Sequence, residues 1–185
     1  MRALLIAIAA LATVLTVACS PKAPADAPLG GDCNHAVTRT VAFTAVNAHD
    51  LVEARSLGAS CDTAVVVWTI RDAAGKPLWT HAAPYAWLST SSDTRSVAEM
   101  MTFLEGWAGV AVDDTSASPV WAHDKEVGPE GWGASGGSMF TRDTYETIRT
   151  ERLPRICVPT TSERYQCIFY DAQAEAVDVH FAGGA

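Results

Sequence analysis

The sequence is poor in positive charge. Thirteen lysines and arginines stand against 21 aspartates and glutamates, a formal net charge of −8. That balance argues against nucleic acid as a partner and against an electrostatic hold on anionic lipid. There is no polybasic patch, no internal repeat and no heptad pattern. A long apolar run is missing too: the uncharged stretch Ala3 to Val17 is shorter than the roughly 20 residues of a membrane span. Cysteine is sparse and never spaced C-x₂-C, and no two of the five histidines stand four apart, so neither common zinc pattern is present. No metal and no cofactor is expected.

What the N-terminus does hold is a processing signal. Arg2 and the free amino group give a short positive region, Ala3 to Val17 an apolar one, and small residues precede Cys19. This is the layout of a signal peptide, read over residues 1–18. The run Leu15-Thr16-Val17-Ala18-Cys19 resembles the lipobox of bacterial lipoproteins. The resemblance implies cleavage before Cys19, a diacylglyceryl thioether on its sulfur, and acylation (palmitate or a similar chain) of the new amino terminus. With Ser20 rather than aspartate after the cysteine, it also implies an outer-membrane anchor facing the periplasm. Residues 19–31, with the Pro-, Ala- and Gly-rich stretch SPKAPADAPLGG, read as lipidated cysteine and tether. Residues 32–185 are then one globular domain, large enough to bury a core.

Setting Cys19 aside leaves Cys33, Cys61, Cys157 and Cys167. An exported chain meets an oxidising compartment, so pairing is expected. Four cysteines allow three connectivities. The expectation is Cys33–Cys61 and Cys157–Cys167, each joining neighbours across a strand pair.

Periodicity gives the fold class. Val37 to Val46 alternates, with Val37, Val41, Phe43 and Ala45 on one face. Leu51 to Leu57 is a weaker strand. Thr63 to Arg71 is β-branched and apolar on both faces, the mark of a central strand. A turn over residues 72–76 leads to a partner strand, Leu78 to Ala82. Ser96-Val97-Ala98-Glu99 is a capping box before an apolar helical stripe of Val97, Met100, Met101, Leu104 and Ala108. Short strands are expected at Val110 to Val112 and Pro119 to Ala122. After the Gly-rich stretch Glu126 to Ser138, Thr141 caps a second helix, with Phe140 and Tyr145 as its staple and Pro154 as its stop. Three strands close the chain: Ile156 to Val158, Tyr165 to Tyr170 and Ala176 to Phe181. The reading is an α+β domain, a mainly antiparallel sheet with one or two packed helices, stapled by disulfides.

Candidate chemistry is thin. Gly133-Ala134-Ser135-Gly136-Gly137 matches G-x-S-x-G, and Asp178 and His180 follow, which makes a serine hydrolase using Ser135 one alternative. The motif needs a strand into the serine and a helix out of it, and neither is legible here. His123, Asp124 and Glu126 make a local polar cluster that reads as a solvated loop. Of six tryptophans, Trp68 and Trp107 read as core, Trp79 and Trp87 as either core or surface, and Trp132 in the Gly-rich loop as either a contact residue or a ring buried under its own loop.

Tyr165-Gln166-Cys167, followed by Val177, Val179 and Phe181, resembles the opening strand pair of membrane-bound inhibitors of c-type lysozyme. That family consists of small lipidated β proteins with paired cysteines, and the resemblance implies an envelope inhibitor as a further alternative. The leading expectation is a non-catalytic, lipid-anchored module that meets an envelope protein or a cell-wall component.

Overall fold

The computed structural model describes residues 32–89, 96–121 and 137–184. Two antiparallel sheets of four strands each organise them. The first runs in chain order through β1 (His35–Val41), β2 (Asp50–Leu57), β3 (Val65–Arg71) and β4 (Pro77–Pro84). The β-branched run Val65-Val66-Val67-Trp68 lies on β3, paired on both sides as its apolar faces require. The second sheet holds β5 (Val112–Asp114), β6 (Pro154–Pro159), β7 (Arg164–Asp171) and β8 (Ala176–Gly184), again in chain order.

Three helices accompany them: α1 (Tyr85–Leu88), α2 (Val97–Ala108) and α3 (Arg142–Glu151). The capping box of α2 is complete, with the Ser96 hydroxyl accepting from the Glu99 N–H and the Glu99 carboxylate accepting from the Ser96 N–H at 2.7 Å. Thr141 caps α3 by accepting from the Thr144 N–H. α3 ends at Arg152, whose left-handed φ of 54° turns the chain into Pro154.

One core joins both sheets. Val52, Ala54, Val66, Trp68 and Ile70 of the first sheet cluster with Met100, Leu104 and Trp107 of α2 and with Ile156, Val158 and Ile168 of the second. The two tryptophans expected in the core are there, and the Trp68 indole donates to the Trp107 carbonyl at 2.9 Å, which satisfies its one donor in the interior. The opposite face of the second sheet holds a smaller cluster of Tyr145, Cys167 and Phe181, with Tyr145 supplied by α3.

The expected disulfides are the ones formed. Cys33 joins Cys61 in the 3₁₀ turn Cys61–Thr63, and Cys157 joins Cys167 across β6 and β7.

Three expected strands differ. The one expected at Val110 to Val112 lies two residues later, at Val112–Asp114. β1 ends at Val41 instead of running to Val46, because the buried Asp50 carboxylate accepts from the Phe43 and Thr44 N–H groups at 3.0 and 2.6 Å and turns the chain out of the ladder. Pro119 to Trp121 form no strand, since the Trp121 N–H is taken by the Glu146 carboxylate of α3 at 2.9 Å.

Candidate functional site

The densest polar arrangement among the described residues lies between α3 and the outer face of the second sheet. Its centre is His180 on β8. The ladder shifts by one residue there: Phe181 faces Cys167 and Val179 faces Ile168, which leaves His180 as the extra residue of a β-bulge. The ring is completely buried, stacked on Tyr145 at 4.3 Å between centroids and flanked by Phe140 and Phe169. The two aromatic residues expected to staple α3 therefore both pack on this imidazole.

Both ring nitrogens have partners. Nε2 lies 3.2 Å from the Tyr145 carbonyl, which can only accept, so Nε2 carries the proton. Nδ1 is then an acceptor, and the Ser118 hydroxyl, 2.9 Å away, donates to it. Ser118 Oγ in turn accepts from Arg155 Nη1 at 2.6 Å. The rest of the guanidinium grips Asp113, with Nε to Oδ1 at 2.8 Å and Nη2 to Oδ2 at 2.6 Å. β5, β6, β8 and the turn after β5 thus each contribute one member to a continuous chain from Asp113 to His180.

α3 closes over this chain by a second set of bonds. The Tyr145 hydroxyl donates to the Pro119 carbonyl at 2.7 Å, and Arg149 donates to the carbonyls of Ser118 and Ser116 at 3.1 and 3.3 Å. Arg149 also pairs with Glu146 at 2.7 Å. Thr115, fully buried, donates to the Ile148 carbonyl at 2.6 Å and accepts from the Leu153 N–H.

The electrostatics follow from burial. Desolvation, helped by the nearby guanidinium groups of Arg155 and Arg149 and opposed by the Tyr145 carbonyl, pushes the His180 pKa down to about 4. The ring is neutral at pH 7, which fits its role as acceptor from Ser118. Burial raises the Tyr145 hydroxyl to about 12. The Trp121 N–H holds the Glu146 carboxylate below its usual range.

Of the sequence-based candidates, Cys19, Trp132 and Ser135 lie outside the described residues, as do the His123, Asp124 and Glu126 cluster and the whole of 1–31. Asp178 and His180 are both on β8, but the ring of His180 is held by Ser118 and Tyr145, not by Asp178. Ser118, Arg155 and Asp113 carried no signal in the sequence, because they come together only through the β5-β6-β7-β8 sheet and the turn after β5. Trp87 proves a surface residue, 62% exposed, with its carbonyl accepting from the Ser162 N–H at 2.7 Å. Of Tyr165 to Cys167 and Val177 to Phe181, on the last two strands of their sheet, only Cys167 and Phe181 face each other; Tyr165 and Gln166 pair with Gly183 and Ala182, and Val179 and Val177 with Ile168 and Tyr170.

One further group combines potential ligands: Cys33, His35 and Cys61, whose sulfurs and a ring nitrogen lie within 4.8 Å of one another. Among the described residues no helix is long and apolar enough to cross a membrane. No family model, no curated protein and no solved structure matches the chain.

Proposed function

We propose that the chain is an exported, lipid-anchored envelope protein whose domain works by binding rather than by catalysis. One observation carries the second half of this reading. His180 is the only histidine that follows Ser135 in the chain, and both of its nitrogens are committed inside the fold. A general base needs a free nitrogen within reach of its nucleophile. The serine that His180 does meet, Ser118, is only 3% exposed and its hydroxyl is held by Arg155. This polar chain is a buried brace between α3 and the sheet.

The anchoring half rests on the sequence. Leu15 to Cys19 resembles a lipobox, and SPKAPADAPLGG provides a tether of the required character. Two disulfides and a net charge of −8 suit an oxidising compartment and a body that does not cling to anionic lipid. The outer membrane, facing the periplasm, is the proposed location, and an envelope protein or cell-wall component the proposed partner. Trp132 and the exposed Trp87 are the aromatic contacts to try first.

Metabolic labelling with palmitate and membrane fractionation test the anchor. The natural chain should carry label and sediment with membranes, and Cys19→Ser should lose both. A Cys19→Ser chain that stays labelled and membrane-bound overturns the lipobox reading. Recovery of partners from detergent-solubilised envelopes tests the binding. Loss of a specific partner with Trp132→Ala or Trp87→Ala supports it, and equal recovery by both variants removes these residues from the contact.

A further inference from the structure

The Cys33–Cys61 disulfide has a histidine against it. A ring nitrogen of His35 and the two sulfurs lie within 4.8 Å of one another, and no other trio of histidine, cysteine, aspartate or glutamate among the described residues is grouped this way. The His35 Nε2 atom is buried and has no hydrogen-bond partner. A buried polar atom without a partner is costly, and its persistence calls for a reason. The His35 main chain is fixed meanwhile, its N–H donating to Ser56 Oγ at 3.1 Å, and the same Ser56 hydroxyl lies 3.9 Å from Cys33 Sγ.

We propose that Cys33, Cys61 and His35 form a redox-gated site for a thiophilic cation, zinc above all, shut while the disulfide stands and open once it is reduced. Disulfide sulfur is a poor ligand, whereas two thiolates and a neutral imidazole are a common zinc set. Ligand atoms around a tetrahedral zinc stand about 3.5–3.8 Å apart, so the present grouping needs only side-chain adjustment and separation of the sulfurs. Three protein ligands leave a fourth position for solvent.

The reductant is a dithiol. Its thiolate attacks Cys61 Sγ, the Sγ–Sγ bond breaks, and Cys33 leaves as a thiolate. Cys61 is 5% exposed against 0% for Cys33, and exposed Asp62 and Thr63 follow it, so its side of the bond is the approachable one. The second thiol of the reductant then breaks the mixed disulfide, frees Cys61 and closes the reductant's own disulfide. Two electrons and two protons pass to the protein. The cation binds the two sulfurs and releases the two thiol protons to solvent.

The chain carrying Cys19→Ser, Cys157→Ala and Cys167→Ala isolates this pair. Reduced with a phosphine and titrated with cobalt(II), it should take one equivalent and show sulfur-to-metal charge transfer, and zinc should displace the cobalt. The oxidised form should take none. His35→Ala should weaken binding at least about tenfold, and His35→Cys, which supplies another thiolate, should restore it. Absence of the charge-transfer band, or undiminished affinity in His35→Ala, overturns the proposal. Should that chain fail to fold, alkylation of the reduced four-cysteine chain with and without zinc decides. Zinc should slow Cys33 and Cys61 selectively, and equal rates at all four cysteines overturn the site.

Discussion

Arg155 and Asp113 form a two-point ion pair whose ends lie in different surroundings: the arginine side chain is 7% exposed and the aspartate 47%. The carboxylate brings charge from the solvent side to a guanidinium that β6 holds inside. Arg155 then passes a hydrogen bond inward to Ser118, and Ser118 to His180. Each member therefore stabilises its neighbour's buried state, and removing one leaves a polar atom of the next without its partner.

Asp113→Ala should destabilise the domain by about 2 kcal/mol, less than the ~3–5 kcal/mol of a fully enclosed pair because water reaches the carboxylate end. Replacing both residues, Asp113→Ala with Arg155→Met, should cost less than the sum of the two single changes. Urea midpoints of the four proteins give the coupling. Additive losses would mean that the two groups do not act on each other.

Stability should fall as the solution is acidified from pH 6.5 towards 4. His180 titrates near 6.5 when unfolded and near 4 when folded, so in that window the unfolded chain binds the extra proton. The contribution is therefore intact above pH 6.5 and lost progressively below it, with an expected drop of about 2 kcal/mol once the polar neighbours of the ring are allowed for. His81, half-buried with its pKa also lowered by burial, acts in the same sense. The lowered carboxylates of Glu99, Asp114 and Glu146 begin to lose their contributions as pH falls below about 5, so they add to the drop at the acid end of this window and continue below it. A urea midpoint series in His180→Phe should be flatter between pH 6.5 and 4, and an unchanged slope would assign the effect elsewhere.

The two disulfides should differ in worth. Their half-cystines are 28 residues apart for Cys33–Cys61 and 10 apart for Cys157–Cys167. Chain entropy then gives about 3.6 and about 2.7 kcal/mol. Paired alanine substitutions should show the larger loss at Cys33 and Cys61. The reverse order would mean that residual structure in the unfolded chain outweighs loop length.

A fluorophosphonate probe should leave the folded protein unlabelled at both Ser118 and Ser135. Ser118 is enclosed, and both ring nitrogens of His180 are already taken, by the Ser118 hydroxyl and the Tyr145 carbonyl. Labelling that disappears in Ser135→Ala would restore the hydrolase and overturn the binding reading.

Local signals were legible in the sequence where one residue decides the outcome. Ser96 and Glu99 announce the start of α2, Thr141 the start of α3, and the run around Trp68 a central strand. Cysteine spacing left three connectivities open, and the expected pairing of Cys157 with Cys167 is the one formed, between residues opposite one another in β6 and β7. The division into two sheets was not legible, since alternation names a strand without naming its neighbour. Nor was the end of β1, where Asp50 captures amides from a segment that alternates like a strand. The polar chain was hidden for the same reason. His180 looked like the partner of Asp178 by spacing, yet a one-residue bulge and the turn after β5 bring Ser118 to it from 62 positions away.

The position of Cys33 has a mechanical consequence. It stands two residues before β1, an edge strand, and it is bonded into the turn that leads to β3. An edge strand pulled from its end gives way one hydrogen-bonded pair at a time. Tension arriving along the chain from the N-terminal side meets the Cys33–Cys61 bond first and is passed to the approach of β3, which is paired on both flanks. Such tension enters the first sheet beside β3, and β1 is spared the load.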